Sequence, residues 1–209
     1  MKSGFLAVVS ASLMSLASSV SAAPVVWNFQ GHINEVAGYT EYQAGDAFQV
    51  KLNFDTSAAE VGNHPRRHEL DPSSLVMNYK IGKNAWQNIS YSASNGGLFY
   101  VRDNHPNPNG NPGLVDGLTF SLNNDTFPGG MTLILRWHDL SVINGAQVPS
   151  LPPALFNLEA NSFQASDANM NSFVGSIDSI SAVPEPSSVL SLGLGLVALS
   201  AFARRKKAK

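Results

Sequence analysis

The sequence predicts an all-β protein. An antiparallel β-sandwich or jelly-roll-like domain is expected, with a cleavable N-terminal signal peptide before it and a single C-terminal transmembrane helix after it. Three observations carry this. Apolar side chains in the middle of the 209-residue chain recur with period 2. Clusters of Gly, Pro and Asn separate the alternating runs. Each end of the chain is an apolar segment with basic flanks, and neither has the polar face of a globular surface element.

The elements follow in order. Residues 1–22 place Lys2 ahead of an apolar, small-residue run from Phe5 to Ala17. Val20-Ser21-Ala22 then puts small residues at the two positions a signal peptidase reads, so cleavage is expected after Ala22. In the domain spanning 23–182, Phe48, Val50, Leu52 and Phe54 alternate with polar residues. So do Leu75, Met77, Tyr79 and Ile81; Leu118, Phe120 and Leu122; and Leu133, Leu135 and Trp137. Less regular strands are expected at Val25–Val36, Trp86–Ala93, Leu98–Arg102, Leu155–Phe163 and Phe173–Ala182, roughly nine in all by this pattern. Turns are expected at Ala44-Gly45-Asp46, Asn95-Gly96-Gly97, Pro128-Gly129-Gly130 and Asn144-Gly145.

Residues 183–209 form the third part. Pro184, Glu185 and Pro186 should be extended, because two prolines fix φ and block pairing. The uncharged stretch from Pro186 to Ala203 spans about 27 Å as a helix at roughly 1.5 Å per residue, the short edge of a bilayer core. A transmembrane helix is therefore expected over about 187–203. Arg204, Arg205, Lys206, Lys207 and Lys209 make a basic tail (204–209) that stays cytoplasmic by the positive-inside rule, with the domain outside.

The nominal charge of −2 hides an asymmetry: the central 23–183 segment has 7 basic and 14 acidic side chains. Such a segment offers no electrostatic footprint for nucleic acid. With no cysteine, a disulfide framework, thiol catalysis and Cys-ligated zinc are excluded.

Val183-Pro184-Glu185-Pro186-Ser187, a Leu/Gly-rich helix and Arg204-Arg205-Lys206-Lys207, in that order, resemble the PEP-CTERM sorting signal. The resemblance implies that Pro184, Glu185 and Pro186 are the motif read by exosortase, a membrane-embedded cysteine protease of Gram-negative bacteria. It also implies an inner-membrane-anchored precursor, later found at the cell surface or outside the cell, and an association with exopolysaccharide and biofilm. More loosely, residues 27–33, 44–48, 52–55, 101–104 and 116–120 resemble the β-rich domains such proteins often carry.

Signatures of chemistry are sparse. The chain has no Gly-x-Ser-x-Gly elbow, Walker A motif or Gly-x-Gly-x-x-Gly. His64 and His68 have i, i+4 spacing, but Pro65 and Pro72 bracket them and a solvated loop is the better reading. Asp103, Asn104, Asn107, Asn109 and Asp116 offer the hard oxygens Ca²⁺ prefers, without EF-hand spacing. An ordinary Asn/Pro/Gly loop accounts for the same residues, so no metal or cofactor is expected and Ca²⁺ stands as the alternative. Glu35, Glu41, Asp116 and Asp139 are candidate carboxylates for a glycosidase. Trp27, Trp86, Trp137, Tyr39, Tyr91 and Tyr100 are candidates for a sugar-stacking platform, although alternation turns Trp137 inward.

The expected function is non-enzymatic: an exported structural or adhesive protein of the cell surface or extracellular matrix. Its expected partners are signal peptidase, exosortase and exopolysaccharide. A carbohydrate- or calcium-binding module is the alternative, and a secreted hydrolase stands third.

Overall fold

The structure is a computed structural model and describes residues 24–62, 67–106, 113–145 and 147–183. The expected signal peptide with Ala22, the tripeptide Pro184–Pro186, the helix over 187–203 and the basic tail lie outside the described residues. Among the described residues, no helix is long and apolar enough to cross a membrane.

The described chain forms β1 (Val25–Ala37), β2 (Ala47–Phe54), β3 (Arg67–Glu69), β4 (Val76–Ile81), β5 (Gln87–Ser90), β6 (Gly97–Pro106), β7 (Leu114–Leu122), β8 (Met131–Trp137), β9 (Leu158–Ser166) and β10 (Ser172–Ala182). A 3₁₀ turn at Pro72–Ser74 is capped by Asp71, whose side chain accepts from the Ser73 N–H at 2.9 Å. Strand pairs are antiparallel, in the order β3-β6-β7-β8-β9-β10-β1-β2-β4-β5.

The all-β antiparallel reading agrees with this architecture, but two separate sheets do not form. One hydrogen-bonded sheet curls until its inner faces meet. The reason lies in β1 and β10, which pair from Trp27↔Ala182 to Ala37↔Ser172 with register shifts at Gln30/Gly31 and Ile33/Glu35. Bulges bend and twist a strand pair locally. Glycine makes this bend sterically open. A Cβ on Gly31 would stand 2.0 Å from the Ser176 carbonyl oxygen and 2.5 Å from Phe48 Cζ, and one on Gly175 would stand 2.6 Å from the His32 carbonyl oxygen. The Phe48 ring covers both glycines and meets Phe163 of β9 at 4.7 Å between centroids.

The interior is aromatic. Towards one end Trp27, Phe54, Phe99 and Phe120 pack together, with Phe54–Trp27 at 4.9 Å and Phe99–Phe120 at 4.9 Å. These contacts bring β1 and β2 against β6 and β7. Elsewhere in the core Tyr39, Tyr42, Tyr79, Phe127 and Phe173 make a second cluster. Burial pushes the Tyr39 hydroxyl up to about 12, and raises those of Tyr42 and Tyr79 as well. Each alternating residue expected to face inward is buried: Phe48, Val50, Leu52, Phe54, Leu118, Phe120, Leu133, Leu135 and Trp137.

Boundaries differ at several places, and the expected strand Trp86–Ala93 is only Gln87–Ser90, with Trp86 just before it. Arg67–Glu69, expected in a solvated loop, is strand β3 and pairs with β6. It has no apolar residue, so neither hydrophobic period marks it. Strand β9 starts at Leu158 rather than Leu155, because Asn157 has φ of 51° and interrupts extended backbone. Strand β6 runs on to Pro106 past a register shift between Arg102 and His105.

Because the Ser176 carbonyl is fixed in the β1–β10 ladder, Gly31→Ala should destabilise the domain by about 3 kcal/mol. Urea denaturation followed by tryptophan fluorescence would read this, and a loss below about 1 kcal/mol would mean that the bend has room for a methyl group.

Candidate functional site

The calcium-type residues of the sequence come together in part. Asp103 near the end of β6 and Asp116 near the start of β7 are adjacent in the ladder around the bulge. Asp116 is fully buried. One carboxylate oxygen accepts the Asn104 N–H at 2.9 Å, and the other accepts the Ile143 N–H at 2.8 Å. Asp103 Oδ2 accepts the Gly145 N–H at 2.8 Å, while Oδ1 accepts from the Asn104 amide. Burial pushes the Asp116 carboxyl above the ordinary carboxylate range. Asn104, Ile143 and Val142 pull it back through their N–H groups, and the nearby Asp103 adds to the rise. Asn107 and Asn109 lie outside the described residues. Among the described residues, no group of three or more His, Asp or Glu is placed to hold a metal ion.

These carboxylates therefore bind the chain's own backbone. What they hold is the long connection between β8 and β9, residues 138–157. Two tryptophans hold it as well: Trp137 Nε1 donates to the Ala154 carbonyl at 3.0 Å and Trp27 Nε1 to the Ser150 carbonyl at 3.3 Å. Both indoles are buried, which removes them from any exposed stacking platform. The connection walls a groove of about 730 Å³ against residues 56–60. Thr56, Ser57, Glu60, Asn144, Gln147 and Ser150 give this groove polar walls. Glu60 Oε1 lies 2.7 Å from His68 Nδ1, so His68 is tied to a carboxylate; His64 lies outside the described residues. The Ser57 hydroxyl donates to Asp55 at 2.7 Å.

The other candidates are scattered. Glu35 and Glu41 are exposed, on β1 and the β1–β2 connection. Asp139 accepts from the Ser141 N–H and hydroxyl, which lowers its pKa. Asp116 is committed to the loop. Its two bonds to backbone N–H groups take Asp116 out of the free carboxylates that glycoside hydrolysis would use. Trp86, whose face the sequence left open, is 43% exposed and stands on the outer face of the β1–β2–β4–β5 half. The Lys51 ammonium lies 4.9 Å from its ring centroid. Asn28, Lys51, Asn78 and Asn88 form one row across that face, with Asn88 donating to Asn78 at 3.0 Å.

Residues 182–207 match the PEP-CTERM protein-sorting motif. The C-terminal segment is a PEP-CTERM sorting signal. Pro184, Glu185 and Pro186 fall inside the match, which begins in the last residue of β10. The signal supports an exosortase-sorted, extracellular protein and implies exosortase as its processing partner. No curated protein matches the chain. No solved structure matches it either.

Asp116→Ala would strand the buried N–H groups of Asn104 and Ile143 and should cost about 3 kcal/mol. It should also speed proteolysis within 138–157. Since both carboxylates already serve backbone N–H groups, Ca²⁺ should leave the melting temperature unchanged. A rise that disappears in Asp103→Ala would assign the corner to the metal instead.

Proposed function

We propose that this protein is an exported structural or adhesive component of the cell surface or extracellular matrix of a Gram-negative bacterium. The PEP-CTERM signal over 182–207 carries the reading. In it, signal peptidase cuts after Ala22, the helix over 187–203 anchors the precursor in the inner membrane, and exosortase reads Pro184–Pro186 and releases the product. Association with exopolysaccharide and a biofilm is part of the same reading. The use of Asp103, Asp116, Trp27 and Trp137 to fasten a loop supports a non-enzymatic role, because the most suggestive polar groups serve the fold.

The test is processing in an exosortase-positive host. Mass spectrometry of surface-released protein should show that the basic tail is gone. Replacing Pro184, Glu185 and Pro186 together by Ala should leave the chain uncut in the membrane fraction. An intact Lys209 terminus on released wild-type protein would refute the reading.

Trp86 favours a second reading, carbohydrate binding on the outer face. Its ring is exposed beside the amide row of Asn28, Asn78 and Asn88, the pairing of an apolar plate with hydrogen-bonding groups that suits a sugar. In a polysaccharide pull-down, Trp86→Ala should lower retention about tenfold, equivalent to about 1.4 kcal/mol. Equal retention would remove this reading.

A further inference from the structure

The outer face of the opposite half carries a charge arrangement that neither sorting nor the loop corner uses. Register places Arg67 of β3 opposite Arg102 of β6, Arg102 opposite Gly117 of β7, and Gly117 opposite Arg136 of β8. Three of the seven cationic side chains of the 23–183 segment thus share one cross-strand row. Gly117 leaves the middle of the row without a side chain. A Cβ there would stand 3.3 Å from Arg136 Cγ, so the Arg136 stem runs over it. From the other side, Arg102 Nη1 reaches across to donate to Thr119 Oγ1 at 2.9 Å.

Counter-charge is scarce. Arg136 is held by Glu159 at 3.7 Å. Among the described residues, Arg67 and Arg102 have no carboxylate within salt-bridge distance. What they share is the Tyr100 ring, with the Arg67 guanidinium 4.9 Å and the Arg102 guanidinium 5.8 Å from its centroid. Arg102 is 8% exposed, and its Nε is buried without a hydrogen-bond partner; so is the Nε of Arg67. Burial, with Arg136 and Arg67 close by, pulls the Arg102 guanidinium down to about 10. A buried, like-charged and unpaired guanidinium is costly, and removing that cost calls for an anion with a planar or tetrahedral array of oxygens. Nη1 is given to Thr119 and Nε is enclosed, so a ligand oxygen reaches the forked edge of Arg102 only when a neighbouring side chain moves aside.

We propose that Arg67, Arg102 and Arg136, on the floor made by Gly117 and Thr119, form a binding site for an oxyanion, the carboxylate or phosphate group of a ligand. The domain as a whole is acidic, so the site acts by local fork contacts and not by long-range attraction. The site is independent of the sorting signal and of the Trp86 face.

Thermal unfolding of the full chain in detergent, at constant ionic strength, tests this. Inorganic phosphate and an oligogalacturonate are the two anion probes; chloride and a neutral oligosaccharide are the references. At least one anion should raise Tm saturably by about 3–6 °C. A rise with both marks a site for free oxyanions, and a rise with the oligogalacturonate alone marks a glycan-borne carboxylate. The shift should shrink at least fivefold in Arg67→Gln, a half-buried position, and in Arg102→Lys, which keeps the charge but loses the fork. No shift beyond chloride, or equal shifts in wild type and both variants, would overturn the proposal.

Discussion

Strand β1 is bonded on one side to β2 and on the other to β10, the last strand of the domain. That second ladder joins the two halves of the sheet. Without it the β6–β10 meander and the β1–β2–β4–β5 group would be separate sheets, each with an unpaired long edge. The ladder must also bend, because the apolar faces of the two halves have to meet. Two register shifts and two side-chain-free positions, Gly31 and Gly175, supply the bend, and Phe48 fills the space they leave. The aromatic clusters on either side, Trp27–Phe54–Phe120 and Tyr42–Phe127–Phe173, depend on that curvature to bring their rings within contact.

Polar groups inside this fold serve architecture first. The connection 138–157 is too long to order itself by local turns. Four side chains from the sheet, Trp27, Trp137, Asp103 and Asp116, satisfy its backbone instead. The arginine row differs in kind. Its members lie on the outer face, and Arg67 and Arg102 find aromatic and hydroxyl partners but no carboxylate within reach among the described residues. In one case the buried charge is answered by the protein's own N–H groups. In the other, no carboxylate among the described residues answers Arg67 or Arg102.

Much of the fold was legible in the sequence because alternation is a local signal. Leu118, Phe120, Leu133 and Leu135 could be assigned a face from their own neighbours. Strand β3 could not, since Arg67-His68-Glu69 becomes a strand through its pairing with β6. The site was less legible. Asp103 and Asp116 could be recognised as oxygen donors, but that they hold Gly145 and Ile143 depends on the path of a distant loop. Likewise Arg67, Arg102 and Arg136 are far apart in the chain, and register alone aligns them. The sorting signal was legible as a motif, because its parts are contiguous.

The Val183 N–H donates to the Val26 carbonyl at 2.9 Å, one residue beyond the end of β10. The match to the sorting motif begins at Ala182, so its first two residues belong to the β1 edge of the sheet. At this rim of the sheet Trp27 pairs with Ala182 and Val25 with Phe54. The sorting match and the folded body therefore share residues, and a substitution at Ala182 or Val183 would act on both at once.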